Sequence, residues 1–159
     1  MILLVTGNRA LGDRPEAALW ARRRLAEAMA DDQVTAVVHG GARGPDSWAQ
    51  DQARAIGLRC IVFDGNGMVI DDLRGERAWD VRAERPSQDS RPVQWAAWYL
   101  HRDRVMVLWV ARAAARAGGG RVLCLRAPWS RTNGAGYTAD RARALGLDVV
   151  ERVYGRAAT

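Results

Sequence analysis

Val34-Thr35-Ala36-Val37-Val38-His39-Gly40-Gly41-Ala42-Arg43-Gly44-Pro45-Asp46 runs from an apolar stretch through a glycine turn into a helix start, and this junction decides the fold class. Val34 to His39 reads as a buried strand, and Pro45 to about Ile56 reads as a helix closed by Gly57. Gly40, Gly41 and Gly44 permit positive φ values and a close approach of backbone to ligand. Pro45 suits the first helical turn, where its missing N–H would have had no partner, and Asp46 is placed to cap the helix.

The same strand, turn and helix pattern recurs on both sides. Ile2 to Thr6 is a strand candidate that opens on Gly7-Asn8-Arg9, and a helix follows with Asp13 as N-cap, Pro15 in its first turn and Ala18, Ala21, Leu25, Ala28 and Met29 on one face. Leu58 to Phe63 supplies a third strand. Val93 to about Arg116 is the longest helical pattern, closed by Gly118-Gly119-Gly120, and Arg121 to Leu125 is a fourth strand. A second glycine segment, Thr132-Asn133-Gly134-Ala135-Gly136-Tyr137-Thr138, precedes a helix from Thr138 to Leu145, and Val149 to Val153 is a fifth strand. Buried strands alternating with amphipathic helices predict an α/β fold: a Rossmann-like, doubly wound parallel sheet of about five strands in three layers. One domain over 1–159 is expected. Between 64 and 92 the periodicity weakens, which reads as a long loop or lid.

The chain has 159 residues and a formal net charge of +6, and all 24 of its basic side chains are arginine. Arginine grips phosphate in two-point fashion and stacks on bases, so the composition is compatible with nucleic acid as a partner without requiring it. The triplet Arg22 to Arg24 reads as a solvated helix face. Cys60 and Cys124 lie inside apolar runs and read as reduced, buried and inert thiols. No run approaches the ~20 apolar residues of a membrane span, and the start of the chain lacks the basic flank of a signal peptide, so a cytoplasmic protein with no membrane partner is expected. The two histidines and two cysteines have no ligand spacing; no metal site and no cofactor are expected.

In a parallel sheet the loops after the strands meet at a topological switch point, where ligands bind. Gly7 to Arg9, His39 to Asp46 and Ser130 to Thr138 should therefore share one rim. Glycine turns that lead into helices bring unpaired N–H groups and the positive end of a helix dipole together, which favours a phosphate. Thr132 and Thr138 offer hydroxyls, Asn133, Gly134 and Gly136 a backbone cradle, and Tyr137 a stacking surface. Asp140, in the first turn of its helix, is a candidate general base or partner of a ribose hydroxyl, or else an acid that stabilises the helix dipole. His39 is a donor at the strand end or a satisfied core histidine. Neither glycine segment is a Walker loop or a dinucleotide fingerprint, which argues against a standard ATPase or dehydrogenase. On the long helix Asp103 and Arg104 interrupt the apolar stripe, while Trp95, Trp98, Tyr99, Met106 and Trp109 recur on one side and read as the subunit interface of a homodimer.

The combination of Val5-Thr6-Gly7-Asn8-Arg9, the run from His39 to Asp46, Arg102-Asp103-Arg104-Val105-Met106 and the segment from Asn133 to Asp140 resembles the YspA-type domain of the SLOG superfamily, over nearly the whole chain. That superfamily includes the Lonely Guy phosphoribohydrolases and the DprA DNA-processing proteins. The resemblance implies a Rossmann-like sheet that binds a nucleotide or nucleotide-derived ligand, as a sensor or sequestering protein. The Lonely Guy motif Pro-Gly-Gly-x-Gly-Thr-x-x-Glu, aligned on its last glycine, sets Thr132 at the proline, Asn133 and Gly134 at the glycine pair, Tyr137 at the threonine and Asp140, one methylene shorter, at the catalytic glutamate. The family's Arg-Asn pair on the long helix stands here as Arg102-Asp103. Arg43 and Arg102 are the expected phosphate contacts. Two alternatives follow from the same resemblance: a nucleotide N-glycosidic hydrolase using Asp140, and DprA-like binding of single-stranded DNA.

Overall fold

Apolar runs become the central strands because both of their faces are covered. In β1 (Ile2–Gly7) the side chains of Leu3 and Val5 point to one layer of helices while Ile2 and Leu4 point to the other, and all four are buried. Each such Leu or Val contributes roughly 1.5–3 kcal/mol of burial. The computed structural model describes residues 1–63, 68–71, 77–80 and 92–156. Around β1 stand β2 (Ala36–His39), β3 (Arg59–Phe63), β4 (Met68–Asp71), β5 (Arg77–Asp80), β6 (Gly120–Arg126) and β7 (Asp148–Val153), in the order β5-β4-β3-β2-β1-β6-β7. The five strands from β3 to β7 through β1 are parallel, as the alternation with helices requires.

Part of the segment read as a long loop or lid is sheet. β4 pairs antiparallel with β3, and β5 antiparallel with β4. The connection 64–67 is too short for a parallel crossover, so the chain turns back on itself. The remainder of the expected lid, 64–67, 72–76 and 81–91, lies outside the described residues.

Helices α1 (Pro15–Met29) and α2 (Pro45–Ala55) cover one face through Ala17, Ala21, Leu25, Ala49 and Ala53. Helices α3 (Pro92–Ala114) and α4 (Gly134–Ala144) cover the other through Trp98, Met106, Val107, Val110, Ala139 and Ala142. The result is a three-layer, Rossmann-like doubly wound arrangement. The interface reading of the long helix changes accordingly. Trp98 and Met106 are core residues of their own chain, and the ring of Trp109 lies 6.0 Å from that of Phe63; the side chain of Trp95 lies outside what is described.

Two helix starts differ from expectation, both beside the carboxyl-end rim of the parallel strands. The chain leaves β1 through a 3-10 segment, Arg9–Asp13, so Asp13 closes that segment and Arg14 stands at the N-cap of α1. Helix α4 begins at Gly134, a turn before Thr138. Low glycine propensity hides this start in the sequence. At Gly136 the absent Cβ leaves room for the Asn133 side chain to fold over the first turn.

Candidate nucleotide site

The parallel order places the switch point at β1, whose chain continues toward β2 on one side and has β6 on the other. Above its carboxyl end opens a cavity of about 370 Å³. The β1 end supplies Thr6, Gly7, Asn8 and Arg9; the turn before α2 supplies Ala42 and Asp46; α3 supplies Ala96, Tyr99, Leu100, Arg102, Asp103 and Met106; the start of α4 supplies Thr132, Gly134 and Ala135. Loops distant in sequence thus meet at one rim, as the topology requires.

Close backbone approach at two glycines makes this meeting possible. A Cβ on Gly7 would lie 2.5 Å from Cγ of Pro45, so β1 and the start of α2 can touch only with glycine there. A Cβ on Gly40 would lie 2.7 Å from Nη2 of Arg102 and 3.2 Å from Oδ2 of Asp46. The glycine leaves the space in which the deepest polar cluster of the site assembles.

That cluster centres on Arg102, which is 7 % exposed. Its Nε and Nη2 donate to Oδ1 of Asp103 at 3.1 and 2.6 Å, its Nη1 donates to the Gly40 carbonyl at 2.7 Å, and its guanidinium lies 5.2 Å from the Tyr99 ring. The Thr138 hydroxyl reaches Oδ2 of Asp103 at 3.4 Å and donates to the Gly134 carbonyl at 3.1 Å. On the other side, Oδ2 of Asp46 accepts from the Gly40 and Ala42 N–H groups at 3.1 and 3.2 Å. Asp46 therefore fastens the turn ahead of α2 rather than capping the helix, whose N-cap is Gly44 at φ +88°. Burial pushes the Asp46 carboxyl up to about 6, against the two N–H bonds and the Arg102 charge that favour its ionised form. Burial also raises Asp103, opposed by Arg102. Two carboxylates share one arginine on the cavity floor.

The mouth has the opposite character. Arg9 is exposed and lines it, and the first turn of α4 offers the N–H groups that no helix can pair internally, with no side-chain cap at Asn133. Asn8 holds the two rims together: its Oδ1 accepts from the Ala127 N–H at 3.0 Å and its Nδ2 donates to the Thr132 carbonyl at 3.3 Å.

Of the residues singled out by sequence, Gly7, Asn8, Arg9, Asp46, Arg102, Asp103, Thr132 and Gly134 line the cavity, while Gly40 and Thr138 support its floor. His39 does not reach it. It is fully buried, with Nδ1 accepting from the Gly41 N–H at 3.1 Å and Nε2 at 3.3 Å from the Cys60 sulfur, so it is the satisfied core histidine. Gly41, at φ +69°, and Gly44 shape the turn outside the cavity. Arg43 is exposed and Tyr137 half-buried, and neither they nor Asn133 nor Gly136 line the cavity.

Asp140 stands apart as well. It pairs with Arg143 at 2.9 Å on the outer face of α4, where Arg143 and Arg126 also hold Glu151 at 2.8 and 2.7 Å. Two residues beyond Thr138, it is turned about 200° around the helix and away from Asp103. Sequence reading missed Thr6, Ala42, Ala96, Tyr99, Leu100, Met106 and Ala135 as cavity residues. For Tyr99 a signal existed, since it lies three residues before Arg102 on the same helical face.

No family model matches the chain, no curated protein matches it, and no solved structure matches it.

Proposed function

We propose that this chain is a SLOG-type domain of the cytoplasm that binds a nucleotide or nucleotide-derived ligand at the end of β1, as a sensor or sequestering protein. One observation carries the reading: at the topological switch point, an anion-seeking mouth made by Arg9 and the first turn of α4 opens onto a cavity of about 370 Å³ with an aromatic wall at Tyr99 and a carboxylate floor. That volume lies within the ~300–1,000 Å³ of small-molecule sites. Phosphate suits the mouth, because backbone N–H groups and a guanidinium both favour it. Arg102 donates three of its five N–H groups to Asp103 and Gly40, so the exposed Arg9 is the cation better placed to meet a phosphate at the mouth.

The hydrolase alternative loses its named base with Asp140 outside the cavity. Strand-like DNA binding finds no specific support in the geometry. A thermal-shift screen of nucleoside mono-, di- and triphosphates, cyclic nucleotides, NAD and a short oligonucleotide tests the reading. A small nucleotide at about 100 times its Kd raises stability by ~2.7 kcal/mol, with little dependence on salt. Stabilisation by the oligonucleotide alone, falling steeply as salt rises, would replace it with the DNA-binding reading. No shift with any compound would remove both.

A further inference from the structure

The floor of the cavity carries an acceptor with no donor. Both N–H bonds to Asp46 end on Oδ2, and Oδ1 has no hydrogen-bond partner among the described residues. Yet the side chain is deeply buried, and Oδ1 is not sealed in the protein interior: Asp46 lines the cavity. An acceptor held out of bulk water and left unpaired is costly, whereas a ligand that brings a donor relieves that cost. Asp103, beside it, has its Oδ1 saturated by Arg102 and only the long Thr138 contact on Oδ2. A second anion would be repelled there, because Arg102 already faces two carboxylates.

Resting on the nucleotide reading, we propose that the floor is a hydroxyl subsite: Asp46, with Asp103 beside it, accepts from the sugar diol of a ribonucleotide whose phosphate lies at the mouth against Arg9 and the first turn of α4. The ligand then spans the cavity with its anionic end outward and its neutral sugar edge inward. Deoxyribonucleotides and DNA are disfavoured, because they leave the buried acceptors unpaired.

Calorimetric titration of the full chain with AMP, 2′-deoxy-AMP and 2′,3′-dideoxy-AMP tests the assignment, in the native protein and in Asp46→Asn. AMP should bind roughly 10- to 100-fold more tightly than dideoxy-AMP, the loss expected when hydrogen bonds to a charged group are removed. In Asp46→Asn, whose amide can still accept from Gly40 and Ala42, that preference should collapse while dideoxy-AMP affinity stays within about twofold. Equal affinity of the native protein for AMP and dideoxy-AMP would overturn the hydroxyl subsite and leave the nucleotide reading standing. So would an equal loss of both ligands in Asp46→Asn with folding intact. Failure of all three compounds, and of the corresponding guanosine and pyrimidine pairs, would overturn the nucleotide reading and the subsite together.

Discussion

Asp46→Asn should stabilise the folded protein above neutral pH, and the size of the effect follows from the burial of one carboxyl. Its folded-state value of about 6 stands above the ordinary 3.8. The folded protein therefore keeps a proton between about pH 4 and 6 that the unfolded chain has released, and stability falls as pH rises through that window. Above it the full difference of about 2 pH units, or about 3 kcal/mol, opposes folding. The two N–H bonds and the attraction of Arg102 are already included in that net value. Asparagine reproduces the neutral acid: its carbonyl can take the Gly40 and Ala42 N–H groups and its NH₂ can face the cavity. Urea unfolding of both proteins from pH 4 to pH 8 measures the difference. At pH 8 the variant should gain about 1–3 kcal/mol, or roughly 2–4 °C in Tm per kcal/mol for a chain of this size, and at pH 4 the gain should vanish. A variant less stable at pH 8, or a difference that does not change with pH, would refute the claim that the ionised carboxylate is held against its desolvation cost.

Arg9→Ala should weaken AMP binding about 10-fold with stability unchanged, whereas Arg43→Ala, outside the cavity, should leave affinity within about twofold; calorimetry distinguishes the two, and the reverse ranking would move the phosphate to the α2 turn. Gly7→Ala should cost about 1–3 kcal/mol in urea unfolding, because its methyl group meets the Pro45 ring at 2.5 Å and the Leu125 carbonyl at 3.0 Å, and a loss under about 0.5 kcal/mol would show that α2 can retreat. Arg102→Met strands Asp103 without its cation and should cost about 3–5 kcal/mol, while the double variant Arg102→Met/Asp103→Leu should recover much of the loss; equal losses would deny the pairing. Cys124, whose thiol burial pushes up to about 12, should resist an aromatic disulfide reagent at pH 8 until urea unfolds the chain, and prompt reaction of the native protein would contradict its placement under α4.

The sheet was legible because its signals are local. Unbroken runs such as Ile2 to Thr6 and Val122 to Leu125 can be satisfied only by burial on two faces, and the helices between them have one apolar face each. Glycine turns ahead of α2 and α4 marked the rim in the same way. β4 and β5 escaped because each is only four residues, Met68-Val69-Ile70-Asp71 and Arg77-Ala78-Trp79-Asp80, too short to show a period amid the charged sequence around them, and their pairing is set by the short return from β3. The sequence offered Tyr137 as the stacking surface and set Tyr99 on an interface face, and only the rotation of their helices brings Tyr99 to the cavity instead.

The amino-acid sequence by itself determined the layer architecture, the parallel sense of the core strands and the rim at which glycine loops gather, since periodicity and turn chemistry act over a few residues. Tertiary structure alone decided which charged side chains enter that rim. Arg102 turns inward to Asp103 and Gly40, Asp140 turns outward to Arg143, and Asp46 is lodged beneath Gly40. Each outcome depends on helix rotation and on contacts between residues up to 62 positions apart. Desolvation then decides which of these charges is costly, and that quantity exists only once the layers have closed around them.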